Sequence, residues 1–168
     1  MKHILGLILA LAMVLAVGSA ALAVPAAAGE QGQWVLLGDY STWWTGIEVG
    51  IGYAFTDTFT LGLLWEDSTD FFGGFATLSL DSFAASVAVY FDGTTGYYGK
   101  AKALYNFDLA QLRLGLGLGA DFADSYDAEL LVEASASLAL GKQLRLFGSA
   151  EYYFDGSLFY EAGLSAAF

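Results

Sequence analysis

The chain contains no cysteine, one proline and one histidine, His3. Without thiols, neither a disulfide framework nor a thiolate metal site can form. Charge is scarce too: Asp, Glu, Lys and Arg make up 14% of 168 residues, against roughly 25% in an ordinary soluble domain. What charge there is has mainly one sign, with 18 acids against six Lys+Arg and a net of −12. A chain so acidic cannot neutralise the phosphates of a nucleic-acid backbone, which argues against nucleic acid as a partner. Helical periodicity is absent beyond the N-terminal apolar run. In place of these the chain is rich in hydrophobic residues (57%), aromatics (16%) and glycine (21 residues).

The N-terminus accounts for part of that hydrophobicity. Lys2 and His3 precede an uncharged run over 4–17, followed by small residues and two sites suited to cleavage, after Ala23 or after Ala28. This is the tripartite layout of a secretory signal peptide. A retained membrane helix is the alternative, because the charge-free stretch over 4–29 is long enough to span a bilayer. The small-residue sites and the missing basic flank favour cleavage. Residues 1–28 are therefore expected to be a signal peptide and 29–168 a single domain.

From there the chain alternates with period two between turn signals. Residues 34–40 form the first such stretch. Over 45–55, Ile47, Val49, Ile51, Tyr53 and Phe55 oppose Glu48, Gly50, Gly52 and Ala54. Phe59, Leu61, Leu63 and Trp65 then oppose Thr60, Gly62, Leu64 and Glu66, and 67–73 reads as a loop. Ala76, Leu78 and Leu80 alternate with Phe75, Thr77 and Ser79; at Asp81-Ser82 the phase slips by one, which is read as a turn. Alternating stretches follow over 83–91, 97–105, 111–122, 129–140, 144–154 and 158–168, separated by Asp, Gly and Ser.

The last stretch places Leu158, Tyr160, Ala162, Leu164, Ala166 and Phe168 on one face. Its spacing of a polar residue, a glycine, a hydrophobe and a terminal aromatic, here Glu161, Gly163, Ala166 and Phe168, resembles the C-terminal strand of bacterial (Gram-negative) outer-membrane β-barrel proteins. The resemblance implies that these four residues are an insertion signal read by the barrel-assembly machinery. It implies an outer-membrane location, with outer-membrane lipid as the chief partner.

The residues support a barrel independently. A soluble sheet turns a charged and varied face to water, whereas the non-apolar face here is mostly Gly, Ala and Ser. Small residues suit a crowded lumen, and in a bilayer a sheet can span only if it closes. Aromatics on the oily face fall near strand ends. Tyr53, Phe55, Phe59, Phe83, Tyr105 and Phe168 would form one girdle, and Trp65, Phe91, Tyr97, Phe122, Phe154 and Tyr160 the other, with aliphatic residues between. Trp43 and Trp44 are read as lying at the lipid interface. The expected fold is all-β, a closed antiparallel transmembrane β-barrel of ten strands. Eight is the alternative, if 34–40 stays outside and Asp81 is not a turn.

Lumen parity collects Glu48, Glu66, Lys100, Lys102, Arg113, Glu129, Glu133, Arg145, Glu151 and Glu161. Buried charges need partners, so a filling network of ion pairs is the leading reading. A narrow, cation-favouring water path is the second, because rings of carboxylates select cations. Gly115, Gly117 and Gly119 either leave room for water or let neighbouring strands pack closely. Enzymes of the resembled family rely on histidine, and His3 leaves with the signal peptide. A Ser–His or Asp–His site therefore cannot form. Asp67, Asp70, Asp92, Asp124, Asp127 and Asp155 could donate oxygen to Ca²⁺ or Mg²⁺, but no EF-hand spacing is present and turn chemistry accounts for them. The expectation is a monomeric, non-enzymatic barrel without cofactor or metal, structural or lipid-interacting, with its lumen largely filled. A narrow passive channel and a soluble exported β-barrel or sandwich binding protein are the alternatives.

Overall fold

A computed structural model describes residues 29–42, 45–67, 71–91, 93 and 96–168. The expected signal peptide with both cleavage positions, and Trp43, Trp44, Asp70 and Asp92, lie outside the described residues. Ten strands follow in order: β1 (Trp34–Ser41), β2 (Gly46–Thr56), β3 (Phe59–Glu66), β4 (Phe71–Leu80), β5 (Phe83–Phe91), β6 (Tyr97–Leu109), β7 (Leu112–Ala123), β8 (Tyr126–Ala139), β9 (Leu144–Tyr153) and β10 (Leu158–Ala167). Each pairs antiparallel with the next, and β1 pairs with β10, so the sheet closes into a barrel without a free edge. Trp34 and Phe168 exchange both backbone hydrogen bonds at 2.9 Å at one end of this seam. At the other end the Tyr160 N–H donates to Thr42 Oγ1 at 2.8 Å.

Residues 34–40 thus belong to the barrel and Asp81-Ser82 is a turn, which decides for ten strands over eight. The loop expected over 67–73 is shorter than its composition suggests. Phe71, Phe72 and Gly73 already pair with Glu66, Trp65 and Leu64. A Cβ on Gly73 would run into the Val89 carbonyl oxygen and Tyr90, so this glycine allows close approach of β5 rather than marking a loop. Strands β6 and β8 extend beyond the expected stretches, and a register shift between Asp121 and Ala123 brings Tyr126 into the ladder opposite Ala123.

Alternation sorts the two faces. Ile47, Val49, Ile51, Leu61, Leu63, Leu116 and Leu118 are exposed on the outside, Leu63 at 67%. Both expected aromatic rims sit at opposite ends of this band. Trp34 and Phe107 join the rim on the side of the termini, and Tyr40 and Phe72 the rim on the loop side. Ring contacts of 5.3, 5.1 and 6.3 Å link Trp34, Tyr53, Phe55 and Phe59 along the first rim.

The interior is filled with more than small groups. Val35, Leu37, Leu64, Phe75 and Phe147 form a buried apolar block with Ala88, Tyr90 and Tyr98. Its rings rest on glycines: a Cβ at Gly52 or Gly62 would meet Phe75, and one at Gly163 would meet Phe147. Gly52, Gly62 and Gly163 are therefore sockets for rings. Residues 29–33 fold over the same end as the termini, with Gly32 N–H on the Ala54 carbonyl (2.8 Å) and Gln31 N–H on Asp57 Oδ1 (2.7 Å).

Candidate functional site in the lumen

On β6, Lys100 and Lys102 are two residues apart and so point together into the barrel. Across the lumen Glu133 of β8 and Glu151 of β9 stand directly opposite each other in the ladder. Two carboxylates so placed repel, and Lys102 is held between them. Its Nζ lies 3.0 Å from Glu133 Oε2 and also bonds Glu151 Oε1. Lys100 Nζ takes the other oxygen of Glu151 at 2.6 Å and reaches Glu161 Oε1 of β10 at 3.8 Å. The result is an alternating row, Glu133–Lys102–Glu151–Lys100–Glu161, spanning four strands. All five side chains are buried, with Glu133 0% exposed. Tyr153 donates to Glu151 at 3.4 Å, and Ser149 to Glu161 at 3.5 Å.

A second group faces this row from β1–β3. Asp39 is opposite Glu48, and Glu48 opposite Glu66. The Tyr90 hydroxyl donates to Glu48 Oε2 at 2.5 Å, and its ring lies 5.9 Å from that of Tyr98. Among the described residues, seven buried carboxyl side chains thus share the lumen with two buried ammonium groups. This half of the lumen is electronegative and lies toward the loops, where Tyr90 and Tyr98 of the apolar block border it, whereas Val35 and Phe147 of that block lie toward the termini. Between Asp39, Ser41, Glu48, Tyr90, Lys100 and Glu161 there remains a void of about 10 Å³ open to a water's centre, room for about one molecule.

The residues expected in the lumen divide into three groups. Glu48, Glu66, Lys100, Lys102, Glu133, Glu151 and Glu161 are brought together in the interior. Glu129 is not among them: it precedes the level at which β8 turns its side chains under the rim, and it is exposed. Arg113 and Arg145 lie at the opposite end, on the side of the termini, where Arg113 pairs with Asp108 at 2.6 Å. Asp39, Asp121, Tyr90 and Tyr98 are interior groups that the sequence reading did not single out. Tyr90 was findable, because it has the parity opposite to Val89 and Phe91. Asp39 was harder, since its strand has the weakest alternation and only pairing with β2 sets it beside Glu48. In β10, Glu161 and Gly163 face inward, Ala166 sits on the outer face, and Phe168 is exposed at the rim beside Trp34.

Among the described residues no group of three or more metal-ligating side chains is placed to hold an ion, and no helix is long and apolar enough to cross a membrane. Gly115, Gly117 and Gly119 open no water path along β7. A Cβ there would meet Ser135, the backbone of Ala103 and Leu104, or Leu131 and Lys102 respectively.

No family model and no curated protein matches the chain. Its solved neighbours are barrels. The de novo designed TMB2.3, determined by solution NMR, is 13% identical, covers 82% of this chain and 94% of its own, and superposes with a TM-score of 0.52. A structure from the de novo design of transmembrane beta-barrels is 14% identical over 83% of this chain and 98% of that one, with a TM-score of 0.39. A triple mutant of the Rhodopseudomonas blastica porin is 14% identical, with 73% of this chain and 55% of that chain covered, at a TM-score of 0.30. The first likeness bears on the barrel fold alone, and no argument rests on the other two.

Proposed function

We propose that this chain is a non-enzymatic outer-membrane β-barrel of a Gram-negative-type bacterium, structural or lipid-interacting, with its lumen closed by its own side chains. The observation that carries this reading is the seating of the buried Phe75 and Phe147 rings on inward glycines, which fills the lumen with side chains. The exposed aliphatic band between two aromatic rims supports a bilayer as its surroundings. The barrel reaches the membrane as a monomer through the assembly machinery, which recognises Glu161, Gly163, Ala166 and Phe168, after removal of a signal peptide. Catalysis is unsupported, because the lone imidazole of the sequence is at His3.

Planar-bilayer recording tests the closed lumen. The refolded 29–168 chain is expected to give no single-channel steps. Stable steps would favour the second reading, a narrow cation-favouring pore, which the seven carboxyls facing two ammoniums support. The bilayer itself is tested by Leu118→Arg, at a position 64% exposed on the outer face of β7. An arginine at the midplane of a lipid-facing strand costs about 2–4 kcal/mol. The urea midpoint of unfolding from vesicles is expected to fall accordingly. A soluble exported binder would leave it unchanged, and would stay monodisperse without detergent.

A further inference from the structure

We propose that the lumen mouth on the side of the chain termini is a binding site for a small oxyanion, a phosphate or a carboxylate, held between Arg113 and Arg145. This does not depend on whether the lumen conducts. Arg113 on β7 and Arg145 on β9 flank β8, from which Ser137 stands directly opposite Arg113. The Ser137 hydroxyl also accepts from Arg145 Nη1, at 3.5 Å. Asp108 accepts from Nε and Nη2 of Arg113 at 2.6 and 2.9 Å, which leaves both Nη1 hydrogens and one on Nη2. Arg145 has no carboxylate within ion-pair distance among the described residues. It is half-buried and lies within the repulsive field of Arg113. The exposed Asp81 is the one further carboxylate acting on Arg113.

Asp108 attracts both guanidinium groups but pairs directly with Arg113 alone. Arg145, repelled by Arg113, is left half-buried without an ion pair of its own among the described residues, which an anion beside it relieves. A second observation points the same way. One inward position deeper on β6, opposite Gly115, Asn106 is 5% exposed and its Nδ2 has no acceptor. A buried amide donor without a partner marks a missing oxygen. Asn106, Arg113, Ser137 and Arg145 thus occupy inward positions on four consecutive strands at this end, with Asp108 and Asp81 as the competing carboxylates.

The two ends of the barrel differ in charge. At the loop end Asp67, Asp124, Asp127, Glu129 and Asp155 are exposed, and no basic side chain accompanies them among the described residues. Lys142 is exposed in the β8–β9 turn, on the same side as the two arginines. The end near the termini carries exposed Glu30, Asp57, Asp81 and Asp108 as well, so attraction of an anion there is local to the two arginines and Lys142. Planar guanidinium forks match the oxygen spacing of carboxylate and phosphate. Because Arg113 and Arg145 have lumen parity, the ligand arrives through the aqueous mouth.

The test is calorimetric titration of sodium phosphate into the folded 29–168 chain in phosphatidylcholine nanodiscs, with ionic strength held constant by sodium chloride. Saturable one-to-one binding is expected. Arg145→Gln should weaken it by at least about tenfold, the worth of one charge-assisted contact. Asp108→Asn, which frees the fork of Arg113, should strengthen it severalfold, a gain that mere structural damage would not produce. A heat-dependent gel shift checks that each variant is folded. If phosphatidylglycerol discs abolish the titration while phosphatidylcholine discs preserve it, the same arginines hold a lipid phosphate; equal binding in both assigns a free oxyanion. Absence of saturable binding in phosphatidylcholine, or wild-type affinity in both variants, overturns the site.

Discussion

Lys102→Met is expected to cost the barrel about 3–5 kcal/mol of stability, the usual consequence of removing one partner from a buried ion pair. The effect is large because of where the lysine sits. Glu133 and Glu151 face each other across one ladder position, and both are buried. Lys102 contacts both, at 3.0 Å for Glu133. Without it Glu151 keeps Lys100 at 2.6 Å, while Glu133 faces another carboxylate with no cation in contact. Methionine preserves most of the volume, so the loss reports charge rather than a cavity. Adding Glu133→Gln to Lys102→Met should recover much of the stability, since the stranded charge is then gone. Urea unfolding from vesicles measures both, and equal midpoints for the single and double variants would show that the row does not act as a unit.

Phe147→Ala should be comparably damaging, again about 3–5 kcal/mol, through loss of a large side chain from a packed interior. Phe147 is 2% exposed, and its ring fills the socket over Gly163. No neighbour can collapse into that space easily, because closure pins β9 and β10 in register along nine residue pairs. The variant also bears on the closed lumen. Phe75 and Phe147 belong to the apolar block between the charged half and the mouth near the termini. Combining Phe75→Ala with Phe147→Ala should convert a silent barrel into one that passes current. If the parent is silent and the double variant folds yet is equally silent, the block is not what closes the lumen.

Much of this architecture was legible in the chain. Ile47, Val49 and Ile51 alternate with Glu48, Gly50 and Gly52, and period-two geometry alone sends the first set outward and the second inward. The same reading found Lys100, Lys102, Glu133, Glu151 and Glu161 on the inner face. Glu129 has the same parity as Glu133 but stands four residues nearer the rim, and parity carries no information on height within a barrel. Phe71, Phe72 and Gly73 fall in a stretch that reads as a loop, yet they pair with β3. A glycine required by a neighbouring backbone looks the same in sequence as one required by a turn.

By itself, then, the sequence determined the strand periodicity, which side chains share a face, and the excess of acid within. Those depend only on the local geometry of an extended chain. Tertiary structure alone decided that ten strands rather than eight close the sheet, that Phe75 and Phe147 find glycines to lie on, and that Arg113 and Arg145 lie at the opposite end of the lumen from the Lys100 and Lys102 row. Tilt and stagger in a closed barrel are set by all the strand pairings together. Which inward residues touch across the lumen is therefore a property of the complete ring and of no single segment.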